Sequence, residues 1–488
     1  MISGPLSGFG EVETVTPSPT SQVAFVYNLN PVLVTSYVYG AGASVSAVNG
    51  ELVLSSGTTT SSYARLISKK VAKYRPGQAT MARWTARFTA PAVGGAGNRQ
   101  IAGLYNIEGG YQFGYVDGVF GILYTEAATV EVQALTISAA PTGAGNVTVT
   151  LDGGPGVVVA VTNQPNTSVT ASEIAAANYS QASGGWDAQA VANVVYFTRR
   201  LPGPAGASTF APGAVPGIAG AFATTTLGVA ATEQFIAQTT WNQDPMNGSG
   251  PSGIVLNPAK GNVFEVQFQY LGYGDAFFYV VNGVTGRPTL VHVIRNANTR
   301  VSTNLRNPNL YLTWESRNTG AAASVTMWGA SGGAFVEGPV EYLGAQFAVQ
   351  ATVTLNAGVE TPILTLRGST VYQNRVSTAQ LQIDRISVAC DGTKTVAFKV
   401  YKNGVLTAAR WQNVNASTSA ASYDANATAF TLGSGALIYA FSVAKTGNTT
   451  ESVTDLVLFM QAGDYITVTG TSANASDVTA SLVWVEDV

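Results

Sequence analysis

The stretch from Arg99 to Glu126, RQIAGLYNIEGGYQFGYVDGVFGILYTE, leaves the chain few ways to fold. Its two glycine-broken aromatic runs, YQFGY and VFGILY, put a large apolar side chain at every second position. A period of two is the signature of a β-strand with one face against a core, and Asp117-Gly118 between two such runs is a strong hairpin signal. Gly109-Gly110 is expected to make the preceding turn. The pattern breaks off after Glu126 and a matching one returns from Trp241 to Ile294, where Phe264, Val266, Phe268 and Tyr270 alternate with Glu265, Gln267 and Gln269. We therefore expect two halves of one sheet domain with something inserted between them.

The rest of the 488 residues extends this picture. Charged residues make up 10% of the chain, where roughly 25% is ordinary. Small and hydroxylated residues take their place, as suits a subunit covered by its neighbours or a particle displayed in bulk water. A formal net charge of -3 argues against nucleic acid, whose phosphates need clustered Lys and Arg. The single cysteine, Cys390, allows no intrachain disulfide. No run of about 18 apolar residues exists, so no membrane insertion is expected. The opening MISGPLSGFGEVETV lacks the basic and apolar regions of a signal peptide, so the chain is expected to be made in a cytoplasm and to stay folded there.

Read in order, residues 1–30 are Gly/Pro/Ser/Thr-rich without periodicity and read as an anchoring arm. Residues 31–128 and 239–337 form the split β-sandwich. Within it, Asn49-Gly50 marks a second hairpin, and ATMARWTARFTA alternates Met81, Arg83, Thr85 and Arg87 with Ala82, Trp84, Ala86 and Phe88. Residues 129–238 read as a small α+β insert. Thr170-Ala-Ser-Glu173 has the form of a capping box, with a helix expected to run on to about Ala182. From 338 to 488, strands at regular spacing indicate a jelly-roll-like antiparallel sandwich. The fold class expected is all-β: multidomain antiparallel β-sandwich or jelly-roll domains with a small inserted α+β module.

Little in the chain points to chemistry. His292 is the sole candidate for a triad base, but it lies in TLVHVI and shares a face with Leu290 and Ile294, which reads as a core histidine. One His and one Cys do not make a zinc site, and no Asp-x-Asp-x-Asp run suggests calcium. The acids are scattered singly in turns, for example Asp117, Asp152, Asp244 and Asp464, rather than paired as glycoside cleavage requires. No catalytic residue, metal or cofactor is expected. The basic group Lys69, Lys70, Lys73, Arg75, Arg83 and Arg87 reads as a solvated or ion-paired strand face. Tyr111, Tyr115 and Tyr273, each beside a glycine, are the candidates for exposed aromatic contacts to a glycan.

Several motifs have a familiar look. KYRPGQ (Lys73–Gln78), the YQFGY and VFGILY pair, TWNQDPMNGSGPSGIVLNPAKGNVFEVQFQYLGYG (Thr240–Gly274) and GAFVEG (Gly333–Gly338) resemble a domain of structural virion proteins from tailed phages and some large algal viruses. PILTLRG, DGTKTVAFKVYKNG, QAGDYITVTG and the final LVWVED resemble a domain that follows it in such proteins. LDGGPGVVVAVTN is similar to modules spliced into phage virion proteins. The resemblance implies a fibre or surface appendage at the virion surface, a homotrimer held to other virion proteins through its N-terminal arm. It implies contact with a host glycan or protein, and it carries no catalytic motif. A capsid or head-decoration protein is the alternative, and a polysaccharide-degrading tailspike a third.

Overall fold

The computed structural model describes residues 16–89, 97–320, 323–340, 344–453 and 458–487. Antiparallel sheets dominate, and the chain divides into two compact units. The first takes in the described residues of Met1–Thr129, Leu201–Pro204 and Gly228–Glu341; the second takes in those of Val130–Arg200, Ala205–Leu227 and Tyr342–Val488.

The first unit is a two-sheet sandwich. One sheet runs in the order Pro288–Ile294, Ala276–Val281, Asn262–Phe268, Thr80–Phe88, Thr326–Gly329, Glu51–Ser56 and Ala43–Val48, with Ser331–Glu337 and Pro17–Ala24 joined to it. The other runs Thr232–Ala237, Val119–Glu126, Gly109–Val116, Asn98–Asn106, Tyr311–Asn318, Tyr63–Ser68 and Val34–Tyr39. The alternation read from sequence sorts side chains as expected: along Thr80–Phe88, Ala82, Trp84, Ala86 and Phe88 are buried while Met81, Arg83, Thr85 and Arg87 reach outward. The core between the sheets is dense in rings. Phe113 lies 4.8 Å from Phe264 and 5.7 Å from Phe278, and Tyr111 stacks on Tyr124 at 5.4 Å. Such contacts add about 0.5–1.5 kcal/mol each beyond the area they bury.

Three local expectations are corrected here. Asp117-Gly118 turns as read, with φ of 47° and 85°, and so does Asn49-Gly50 with 53° and 81°. Gly109-Gly110, however, opens a strand; the turn falls on Ile107-Glu108, where the Asn106 side chain accepts from the N–H groups of Glu108 and Gly109. The two glycines answer close approach instead: a Cβ on Gly109 would lie 2.6 Å from the Thr125 carbonyl oxygen and one on Gly110 2.3 Å from the Tyr105 Cβ. The arm is the second correction. Residues 1–15 lie outside the described residues, but Pro17–Ala24 is a strand on Ser331–Glu337, and Phe25 is buried edge-on to Trp314 at 5.6 Å. Third, Thr232–Ala237, expected inside the insert, is the edge strand of the seven-stranded sheet.

The second unit joins the remaining insert to the C-terminal sandwich. The insert has a four-stranded and a three-stranded sheet around Leu135, Val149, Trp186 and Phe197. Its helix spans Thr167–Ala175, earlier than the Thr170 box predicts, because the Asn166 side chain caps Ser168 N–H at 2.8 Å. Glu173 instead accepts from Thr162, in the strand-following loop. The C-terminal sandwich has sheets of five and six strands over an aliphatic core with Trp484 at 0% exposure. Arg367 stitches the two parts: it donates to Ala190 O at 2.6 Å and to the Ser422 hydroxyl at 3.1 Å, and stacks 3.8 Å over Trp411. Burial pulls its guanidinium down to about 9.

Candidate functional site

On one side of the sandwich the edge strand of each sheet, Thr232–Ala237 in one and Pro288–Ile294 in the other, borders the same cleft of about 570 Å³. Gln234, Ile236, Asn242, His292, Arg295 and Arg300 line it. A bulge shapes this border. The pairing of Ala276–Val281 with Pro288–Ile294 slips between Phe278 and Tyr279, so His292 leaves the face of Leu290. The freed Val291 carbonyl accepts from Gln243 and Asp244 N–H, and Asn242 clasps Val293 in both directions at 2.9 Å.

His292 is a neutral acceptor here. Its Nδ1 accepts from Asn242 N–H at 3.1 Å, which puts the ring proton on Nε2, and burial pulls it down to about 4. The cleft's arginines are held from behind. Arg295 meets Asp275 at 3.1 Å, while Arg300 pairs with Glu126, donates from Nε to Asn296 Oδ1 at 2.7 Å, and lies 5.2 Å from the Tyr124 ring centre. Asp275 also accepts from the backbone of Asn296 at 2.7 Å. The loop that leads from Thr232–Ala237 to Asn262–Phe268 is pinned by Asp244, which is 2% exposed and accepts from Met246 and Ser252 N–H, both at 2.8 Å. Burial would raise its carboxyl, but these hydrogen bonds outweigh that and lower it.

A second polar group lies on the outer face of the seven-stranded sheet. The register puts Tyr63, Arg65, Glu315, Arg317, Arg99 and Ile101 on neighbouring strands of that face. Arg65 pairs with Glu315, and Arg99 forks onto Glu233 with two bonds of 2.7 Å. Burial alone would raise Glu315, but Arg65 and Arg317 beside it hold it below the ordinary carboxylate range. Burial, and the charges of Arg99 and Arg65, lower Arg317. The hydroxyl of Tyr105 and Oε1 of Gln112, also on this face, are buried without a hydrogen-bond partner.

The residues singled out from sequence fare unequally. Tyr111 is 0% exposed, stacked on Tyr124 and 5.1 Å from Phe268, so it cannot touch a glycan; its position has the parity of core residues. Tyr115 is half-buried against Phe120 at 5.3 Å, and Tyr273 is 45% exposed. The three are not brought together as one site. Of the basic group, Arg83 pairs with Glu265 across strands, Arg87 with Glu51 while stacking 3.8 Å over Trp328, and Lys73 is buried. Cys390 is buried, with its thiol donating to Ala444 O. The cleft escaped the sequence reading because its residues come from segments some 60 positions apart; the only signal was the long turn-rich stretch after Ile294, which carries Arg295 and Arg300.

No family model matches the sequence, and no curated protein matches it. Among solved structures, the chain is similar to an endo-1,3-beta-glucanase from Streptomyces sioyaensis at 9% identity and a TM-score of 0.30, covering 70% of this chain and 100% of that one. It is similar to the binding domain of botulinum neurotoxin DC in complex with rat synaptotagmin II at 9% and 0.25, covering 88% and 93%. It is also similar to the triple jelly roll protein of an archaeal virus turret at 7% and 0.17, covering 98% of each chain. Likenesses this faint carry no weight for function.

Proposed function

We propose that the chain is a virion structural protein, a fibre or surface appendage that assembles as a homotrimer in the host cytoplasm and serves host attachment by binding rather than catalysis. The segment ahead of Pro17 anchors it to other virion proteins. The observation that carries the reading is a pair of sheet edges in the C-terminal sandwich. Ala345–Leu355 is an eleven-residue edge strand, AQFAVQATVTL, with no charge and no proline; Ala436–Val443, ALIYAFSV, is an edge strand of the other sheet with none either. Ala348 and Gln350 are exposed, and Leu437 is 54% exposed. Monomeric proteins guard such edges with charges, prolines or bulges because an open edge pairs with other chains. Ala345–Leu355 carries none of these guards and Ala436–Val443 only a bulge at Ile438, so a chain this poor in surface charge is fitted to be covered there by copies of itself.

Light scattering on the purified chain tests this. A trimer is expected, falling to a monomer in the combined Ala348→Lys, Gln350→Lys and Leu437→Lys variant, and unchanged on removal of residues 1–15. A monomeric parent chain sinks the fibre reading and points to a capsid or head-decoration subunit ordered by a lattice.

A further inference from the structure

We propose that the cleft between Thr232–Ala237 and Pro288–Ile294 binds a carboxylate-bearing sugar unit of an acidic glycan. Its volume of about 570 Å³ lies within the roughly 300–1,000 Å³ of small-ligand sites. Its floor is apolar: Ile236 and Ile294, on the core-facing side of their strands, are buried to 9% and 6% exposure. A sugar ring can lay its C–H face on such a floor and turn its hydroxyls to the rim.

The rim decides the chemistry. Its acceptors are already engaged: Glu126 by Arg300, Asp275 by Arg295 and the backbone of Asn296, and the Asn242 carbonyl by Val293 N–H. Beyond the Gln234 carbonyl and the Thr299 hydroxyl, the remaining capacity is to donate. Arg295 has a side chain 65% exposed, held by one carboxylate oxygen at 3.1 Å, so most of its five N–H donors face solvent. His292 offers Nε2–H, since Nδ1 is taken, and the exposed Gln234 offers an amide from the opposite strand. Donors converging from both walls select an acceptor-rich ligand, and the planar fork of a guanidinium matches a carboxylate. The proposal deepens the attachment reading by naming a partner. The site is complete within one protomer, so a failed glycan test and a failed assembly test are distinguishable.

Calorimetric titration of the full chain at pH 7 tests it, with trigalacturonic acid as the probe and its methyl ester and a polyglutamate peptide as controls. The acid is expected to bind saturably and the ester at least tenfold more weakly. Arg295→Ala is expected to weaken the acid at least tenfold and Gln234→Ala a few-fold, both with an unchanged melting temperature, since both side chains are exposed. The His292 Nε2–H resonance should shift on binding. No saturation by millimolar acid, equal binding of acid and ester, equal binding of polyglutamate, or an undiminished Arg295→Ala variant would each overturn the proposal.

Discussion

The outer face of the seven-stranded sheet and the edges of the C-terminal sandwich are both sheet borders, and they are finished in opposite ways. The first is crowded with charge and consumes most of it internally: Arg65 on Glu315, Arg99 on Glu233, Arg83 on Glu265 on the neighbouring sheet. The second has no charge along either long edge strand and no strand beyond them among the described residues. The lesson is that low overall charge is not spread evenly. What little there is has been concentrated where polar groups must satisfy one another at low dielectric, and withdrawn from the two edge strands Ala345–Leu355 and Ala436–Val443.

That contrast can be broken. Glu315→Ala takes the Glu315 carboxylate from the buried guanidinium of Arg65 and is expected to cost about 3–5 kcal/mol, read by urea denaturation of tryptophan fluorescence; a loss below 1 kcal/mol would mean the face is not internally balanced. Next in size is Asp244→Ala, which strands the N–H groups of Met246 and Ser252 and should cost about 1–3 kcal/mol in the same assay. His292 gives a smaller, pH-dependent effect. Between its ordinary value of 6.5 and its folded value of about 4, the unfolded chain takes a proton that the folded chain refuses. Stability therefore falls as pH drops through that window, and His292→Gln should flatten the slope in melting temperature against pH. The smallest effect is expected at the open edges: in the dissociated Ala348→Lys, Leu437→Lys background, adding Gln350→Lys should change the unfolding free energy by no more than about 0.5 kcal/mol. A large loss there would show that the edge is structural rather than vacant.

Much of the fold was legible because period two is a strong signal wherever one face is buried. Thr80–Phe88 sorted itself residue by residue, and Asn49-Gly50 and Asp117-Gly118 marked their turns through left-handed backbone. What failed was local chemistry that competes with a motif. Asn106 outdid two glycines in making a turn, and Asn166 outdid a capping box by lying one turn earlier. Pro17 and Pro19 masked a strand because proline is tolerated at a sheet's margin, where Pro17–Ala24 pairs on one side with Ser331–Glu337. Tyr111 was misjudged because a neighbouring glycine says nothing about which face a ring takes; its place in the two-residue alternation does. The cleft was illegible for a different reason: two edge strands and a bulge make it, and neither pairing order nor a one-residue slip is written in local sequence.

The stitching by Arg367 bears on the order of synthesis. Its partners Ala190 and Trp411 are separated by more than two hundred residues, and Gln189 is likewise tied to Thr370 at 2.8 Å. The strand Ser476–Asp487, which pairs with both Ala345–Leu355 and Gln380–Cys390, is made after both of them. The insert therefore leaves the ribosome long before the sandwich it docks against can close. At about 5–20 residues per second it waits ten seconds or more with its docking face bare. A chain built this way has a nascent stage open to wrong partners, and its yield in the cell depends on how that interval is spent.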